Sequence, residues 1–219
     1  MKKILWLFAL ASAVLPLDAQ ESPQAIIAKV QGTLASLASF QAEFEQTSYS
    51  TSVSTPFKEK GRLFFKKPDL MRWEYKGPEE KIYVYKEGIL LSYFPEDNQL
   101  LRQKIPEEQY EIEILALLAG RGNLTEKYLI ESSPFPGESP QVAQLKLTPK
   151  AEGEYAYILL EIDRKSAFFR RAIFFDWAGN KTEFIFAKIK TNVRYPKDLF
   201  EIKVPPDCEI IDDEPLRKK

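Results

Sequence analysis

The side chains that most often perform acid–base or metal chemistry are scarce in this sequence. Histidine is missing, which removes the commonest general base and the commonest metal ligand. The one cysteine, Cys208, follows two prolines and has no histidine to activate its thiol. We therefore predict a protein that is not an enzyme and that uses no metal and no cofactor.

Acidic side chains occur as adjacent pairs at Glu79-Glu80, Glu107-Glu108 and Asp212-Asp213. Adjacent residues in a strand point to opposite faces, and such pairs at a helix start or in a tail are most simply solvated charges. A glycosidase-like carboxylate pair could be assembled from distant strands, but no sequence feature selects one. A hydrolase with a disguised site stays open as an alternative, and turnover of ester substrates would reveal it.

Aromatic side chains are abundant in this sequence. Fifteen Phe, ten Tyr and three Trp make up 13% of the residues. For any one of them, packing in an ordinary β core is the simpler interpretation. Together, however, a curved sheet lined by aromatics with an apolar helix across its mouth would form a hydrophobic cavity suited to acyl chains, whose burial stabilises by about 0.8 kcal/mol per methylene.

The first nineteen residues have the layout of a secretory signal peptide. Lys2 and Lys3 precede an apolar run from Ile4 to Leu15, and the small Ala19 marks the expected cleavage site. The run is shorter than the roughly 20 residues that span a bilayer, and no cysteine follows it for lipid attachment. We expect residues 20–219 to form one soluble domain in the periplasm of a diderm bacterium, with a eukaryotic secreted protein as the alternative.

The charge and the cysteine content argue against nucleic acid as a partner and against stabilisation by an internal disulfide. The formal net charge is -1 and no long block carries one sign, so nucleic acid is not an expected partner. A lone cysteine cannot close an internal disulfide, so stability must come from the core, for which 44% hydrophobic residues are available.

Helical and strand periodicities alternate along the chain. Ser22 and Pro23 predict the N-cap and first turn of an amphipathic helix that ends near Ser39 and leads into a strand. The polar, β-prone segment Thr47 to Thr55 predicts a hairpin tip or a mobile edge of the sheet. Pro106 opens and Gly120 closes an unusually apolar helix, and Asn123 with Glu126 predicts a short third helix.

The segment from Gly61 to Phe94 packs aromatic residues at strand spacing between Lys-Pro, Gly-Pro and Glu-Gly breaks. In Ile89 to Phe94 both faces carry large apolar groups, so both need cover. Strands are predicted at about Lys58–Lys66, Leu70–Tyr75, Lys81–Tyr85, Ile89–Phe94, Gln99–Gln103, Tyr128–Glu131, Ala143–Thr148, Tyr155–Asp163, Ala167–Trp177, Lys181–Ile189 and Phe200–Val204. Since the helices lie outside any βαβ rhythm, the sheet should be antiparallel and strongly curved.

Several motifs together resemble the LolA family, periplasmic carriers of outer-membrane lipoproteins. They are ASFQAEFEQT after the first helix, the block GRLFFKKPDLMRWEY, the run KIYVYKEGILLSYFPEDNQL, the helix ILALLAGRGN, LKLTPKA, and the ending FEIKVPPDCEIIDD. The resemblance implies a mainly β fold of the α+β class, an incomplete, strongly curved antiparallel β-barrel of about 11 strands with a lid of about three α-helices.

The resemblance also implies residue roles. The lid helix would present Ile114, Leu117 and Leu118, and Lys67 stands where the family has an arginine that ties the lid to the barrel. Lysine offers a point charge rather than a planar fork, so this latch would be looser. A solvated strand-end charge is the alternative for Lys67. The expected lipid-binding cavity residues are Phe64, Phe65, Met71, Trp73, Tyr75, Tyr83 and Tyr93.

The partners that the resemblance implies are triacylated lipoproteins, bound through their acyl chains, an inner-membrane ATP-binding-cassette (ABC) release complex, and an outer-membrane lipoprotein acceptor. The carrier itself would be a monomer that hydrolyses nothing. A LolA-like carrier or sensor for another lipid or glycolipid is the alternative function, although a single domain leaves no output module for a sensor.

Overall fold

The computed structural model describes residues 21–77, 79–105, 123–133 and 139–213. In chain order the elements are α1 (Pro23–Ser36), β1 (Ser39–Ser50), β2 (Val53–Lys66), β3 (Leu70–Lys76), β4 (Lys81–Lys86), β5 (Ile89–Phe94), β6 (Gln99–Lys104), α2 (Leu124–Lys127), β7 (Tyr128–Ser132), β8 (Val142–Pro149), β9 (Tyr155–Asp163), β10 (Phe168–Asp176), β11 (Lys181–Thr191) and β12 (Glu209–Asp212).

The twelve described strands form one sheet in the order β12-β6-β5-β4-β3-β2-β1-β11-β10-β9-β8-β7. The order is open, because β12 and β7 stand at its two ends. Every neighbouring pair is antiparallel except β12 with β6, which is parallel. The predicted mainly β, curved antiparallel sheet is thus confirmed, with one strand more than expected and a single parallel pair at its edge.

Capping and turn residues in the sequence correctly predicted where the first helix begins and where the first hairpin turns. Ser22 caps α1 by accepting from the Ala25 amide, and proline occupies the first turn. The helix ends at Ser36 rather than near Ser39, because Ser39 already begins β1. The hairpin tip predicted at Thr47 to Thr55 is confirmed, since β1 ends and β2 begins there, and Asn123 caps α2 with Glu126 as expected.

The predicted strand at Phe200–Val204 is wrong. This segment has no ladder partner and crosses the sheet surface, with Phe200 only 6% exposed and Glu201 exposed. The alternation of apolar and charged residues in this segment therefore reflects burial of one side of the chain and not pairing with a neighbouring strand. The last strand is β12, after Pro205-Pro206, where it pairs with β6.

The main core lies on one face of the sheet, hereafter the inner face, which carries Phe44 and Trp73. Helix α1 covers part of this face through Ile26, Ile27, Val30 and Leu34. The opposite, outer face carries a smaller buried cluster of Phe64, Val84 and Phe200. Within the described residues, no helix is long and apolar enough to cross a membrane.

Candidate functional site

The inner face holds an aromatic cluster centred on Phe44. Its ring centroid lies 4.8 Å from that of Trp73, 4.9 Å from Tyr75 and 6.2 Å from Phe184, at tilted or edge-to-face angles that favour attraction between rings. Strand pairing builds the cluster, because Trp73 is opposite Leu63 on β2 and opposite Tyr83 on β4. The result is a continuous apolar floor across neighbouring strands.

Gly61 makes room for the Phe44 ring. A Cβ at this position would lie 2.7 Å from Phe44 Cζ and would overlap the carbonyl oxygen of Glu74. No side chain larger than hydrogen fits there while the ring keeps its place. The glycine of the GRLFF motif is therefore a packing requirement of the aromatic cluster.

Polar groups border one end of this cluster. The Tyr75 hydroxyl donates to Gln46 Oε1 at 2.7 Å. Lys81 and Glu59 form an ion pair at 2.6 Å, and the Lys81 ammonium lies 5.0 Å from the centre of the Tyr75 ring. Burial, then the charge of Glu59, raises the pKa of Tyr75, so this hydroxyl remains a neutral donor. We call these four residues the polar rim.

Seven residues were predicted to line a lipid cavity, and the structure divides them between the two faces. Met71, Phe65 and Trp73 belong to the buried inner core, with Tyr75 and Tyr83 packed against it. Phe64 lies in the outer cluster, and Tyr93 pairs with Ile82 on that same outer face. Alternation within a strand explains the split, because both faces of this part of the sheet are covered.

The outer face is covered by the chain that follows β11. The Arg72 guanidinium donates to the carbonyl oxygens of Leu199 (3.1 Å) and Glu201 (3.3 Å), and to Glu74 at 2.7 Å. Burial alone would raise the pKa of Glu74, but hydrogen bonds from Arg72 and Arg62 outweigh it and lower that pKa. The second apolar face expected on β5 is thus covered by a strap of chain, residues 195–203, which contains a turn at 197–200 and forms no strand.

Sequence reasoning missed this strap. A groove of 330 Å³ remains between it and the sheet, lined by Arg72, Ile82, Tyr93, Pro196, Asp198, Leu199, Glu201, Ile202 and Lys203. The alternation of Arg72 with Met71 and Trp73 was the available signal, because an arginine on a half-buried strand face needs acceptors.

Among the described residues, Lys67 forms hydrogen bonds at the C-terminal end of α1. Its ammonium donates to the carbonyl oxygen of Ala35, in the last turn of the helix, and its backbone amide donates to Ala38 at 2.9 Å. A cation at a helix C-terminus is favourable because the unpaired carbonyls there carry partial negative charge. The predicted lid residues Ile114, Leu117 and Leu118 lie outside the described residues, so a latch between Lys67 and the lid stays a prediction.

One polar atom of the cluster has no hydrogen-bond partner in the described ranges of the chain. Trp73 is 6% exposed, and its Nε1 is buried without a hydrogen-bond acceptor among the described residues. Within the same residues, no group of three or more His, Cys, Asp or Glu side chains could hold a metal ion. The chemistry that this face offers is apolar contact with a small number of neutral donors.

The comparisons with known proteins agree with this geometry. Residues 35–203 match the model of a family described as outer membrane lipoprotein carrier protein LolA. An outer-membrane lipoprotein carrier protein of Pseudomonas paraeruginosa is 24% identical over 211 residues, 96% of this chain and 99% of the relative. One of Nitrosomonas europaea is 23% identical over 214 residues, 97% of this chain and 100% of the relative.

Among solved structures, an uncharacterised conserved protein from Thermus thermophilus matches with a TM-score of 0.57 and 15% sequence identity. The match covers 87% of this chain and 98% of that one. At this identity the likeness supports the fold alone.

Proposed function

Because this chain belongs to the LolA family, whose model matches residues 35–203, we propose that it is a periplasmic carrier of lipoproteins bound for the outer membrane. The observation that supports the proposal is the buried aromatic cluster of the inner face, in which the Phe44 ring packs against the rings of Trp73 and Tyr75. Two relatives that align over 99% and 100% of their own length are named outer-membrane lipoprotein carrier protein.

Acyl chains are the part of a lipoprotein that this surface fits. Each methylene transferred from water to an apolar site contributes about 0.8 kcal/mol, so a long chain outweighs the few polar contacts at the rim. The binding residues of this proposal are the five that share the inner face: Phe65, Met71, Trp73, Tyr75 and Tyr83. Phe64 and Tyr93 are left out because they face the strap.

The route we propose begins with a leader at residues 1–19 that directs export. An inner-membrane ABC complex releases the lipoprotein to the carrier, which works as a monomer and passes the cargo to an outer-membrane acceptor. Ile114, Leu117 and Leu118 would close over the chains, with Lys67 as the latch. No hydrolysis occurs at the carrier, because transfer follows affinity: the acceptor binds the acyl chains more tightly.

Photo-crosslinking tests which face takes the cargo. A photoreactive benzoylphenylalanine replaces Tyr83 on the inner face or Tyr157, which stacks on Phe175 at 4.5 Å on the outer face. Triacylated lipoprotein should crosslink at position 83 and not at 157, and the delipidated protein should crosslink at neither. Equal crosslinking of both forms at position 83 would refute acyl binding.

Mass spectrometry of material that copurifies from the periplasm tests the cargo class. Triacylated lipoproteins are the expected species. A free lipid or glycolipid in their place would instead support the alternative of a LolA-like carrier for another lipid.

A further inference from the structure

Trp73 is the unusual member of the aromatic cluster, because its one polar atom is buried and finds no hydrogen-bond acceptor among the residues that the structure describes. Three buried side-chain atoms of the described residues lack a partner: Trp73 Nε1, Asn98 Oδ1 and Gln144 Oε1. Asn98 and Gln144 each engage their amide nitrogen, with Asp207 at 3.1 Å and Glu161 at 3.0 Å. The indole has no second polar atom, so its one hydrogen-bond donor is unused within the described part of the chain.

The surroundings of the Trp73 indole indicate which kind of acceptor could receive a hydrogen bond from its N–H group. Its ring centroid lies 4.8 Å from that of Phe44 and 5.8 Å from that of Phe184. An ionised acceptor placed beside the indole would lose its hydration among these apolar rings, which is unfavourable. The two charged groups of the polar rim, Lys81 and Glu59, already pair with each other. A neutral acceptor such as a carbonyl oxygen fits best.

The position of Trp73 along β3 fits the same acceptor. On the inner face of this strand, Tyr75 belongs to the polar rim, Trp73 comes next, and Met71 is buried at 3% exposure opposite Phe65. Polarity thus falls from Tyr75 to Met71, with Trp73 at the boundary. In an acylated ligand the ester or amide carbonyl occupies this boundary, between a polar head and a hydrocarbon chain.

We propose that Trp73 Nε1–H donates a hydrogen bond to the ester or amide carbonyl at the head of a bound acyl chain. The inference rests on the proposed carrier function and adds the polar group that sets the depth of the chain. The hydrocarbon then extends along Met71 and Phe65 towards α1, while the head stays beside the polar rim. Trp73 is in this way a specificity residue that distinguishes acyl chains from alkyl chains.

The test compares two phospholipid probes that differ only in the carbonyl, dipalmitoyl phosphatidylglycerol and its dihexadecyl ether analogue. Wild-type protein should bind the ester more tightly by about 2- to 12-fold, the range of one neutral hydrogen bond. Trp73→Phe keeps an aromatic ring but removes the donor, so its ester-to-ether ratio should fall to about one. Trp177→Phe is the matched control, because Trp177 is 71% exposed and donates to Gly153 at 2.9 Å.

An unchanged ester-to-ether ratio in Trp73→Phe, or no preference in the wild type, would overturn the inference while leaving the carrier function standing. Failure to bind either probe or a triacylated peptide would instead overturn the carrier function itself.

Nuclear magnetic resonance of ¹⁵N-labelled indoles gives a second readout on the wild type, which stays valid if Trp73→Phe folds poorly. The Trp73 indole proton should move downfield with the ester and not with the ether. A triacylated peptide tested beside the phospholipid identifies the source of the carbonyl by which probe moves the resonance, and no movement with either overturns the inference.

Discussion

Replacement of Gly61 by alanine should destabilise the protein more than the same change at Gly32, Gly77, Gly88 or Gly179. The new Cβ would lie 2.7 Å from Phe44 Cζ and 2.8 Å from Cε1, both closer than carbon atoms approach in folded proteins, and would overlap the Glu74 carbonyl. A ring can shift slightly, but a carbonyl in the β2–β3 ladder cannot move without breaking pairing.

Overpacking of this kind costs about 1–3 kcal/mol, and the backbone overlap places Gly61→Ala near the upper end of that range. For a domain of this size about 3 kcal/mol corresponds to a fall in Tm of roughly 6–12 °C. Gly32→Ala is the matched control, because Gly32 lies in α1 with nothing within 4 Å of the added carbon. There the same methyl should stabilise by about 0.5–1 kcal/mol, since alanine favours helix.

Differential scanning calorimetry and urea unfolding measure both variants. Combining Gly61→Ala with Phe44→Leu separates the two overlaps, because the smaller side chain removes the ring but leaves the Glu74 carbonyl. A favourable coupling of about 0.5–3 kcal/mol is expected for residues in contact. If Gly61→Ala melts at the wild-type temperature, the claim that Phe44 packs against a bare backbone is refuted.

Three further changes test other contacts. The pKa of Glu74 is lowered in the folded protein, so the ionised carboxylate stabilises the fold above the ordinary glutamate pKa of about 4.3, and this stabilisation is lost as the pH falls through the folded pKa. Glu74→Gln should therefore make Tm depend less steeply on pH in the acid range. An unchanged slope of Tm against pH contradicts this prediction. Asp212→Asn removes the charge of Asp212 and one of the two carboxylate oxygens that accept from Arg102 (2.5 and 2.6 Å), and it should speed amide exchange in β12, while Tm moves by no more than about 4 °C because the pair is partly exposed. Unchanged exchange would contradict a role for this ion pair in holding β12 against β6. Lys67→Gln should lower unfolding free energy by about 0.3–1 kcal/mol in urea titrations and Lys67→Arg should not, whereas equal losses would exclude a charge effect at α1.

Much of the fold followed from local patterns. Ser22 with Pro23 marked the start of α1, and the breaks between Gly61 and Phe94 separated four strands that the structure confirms. These features depend on interactions a few residues apart, such as caps and turns, which a sequence displays directly.

Expectation and structure differ where the burial of a side chain depends on distant parts of the sequence. Phe200–Val204 alternates like a strand, yet its apolar residues pack on the outer face and its backbone is held by Arg72 instead of a ladder. Phe64 and Tyr93 were grouped with Trp73 because covered faces on both sides of a strand erase the alternation that would have separated them.

What the sequence determined by itself was a β-rich chain, rich in aromatic residues, with the motifs of one carrier family. What only the tertiary structure decided was which aromatics share a face, that the strap covers the other face, and that the Trp73 N–H is buried without an acceptor among the described residues. The physical reason is that composition and short-range spacing fix local conformation, whereas the environment of a side chain depends on strands that meet from far apart in the chain.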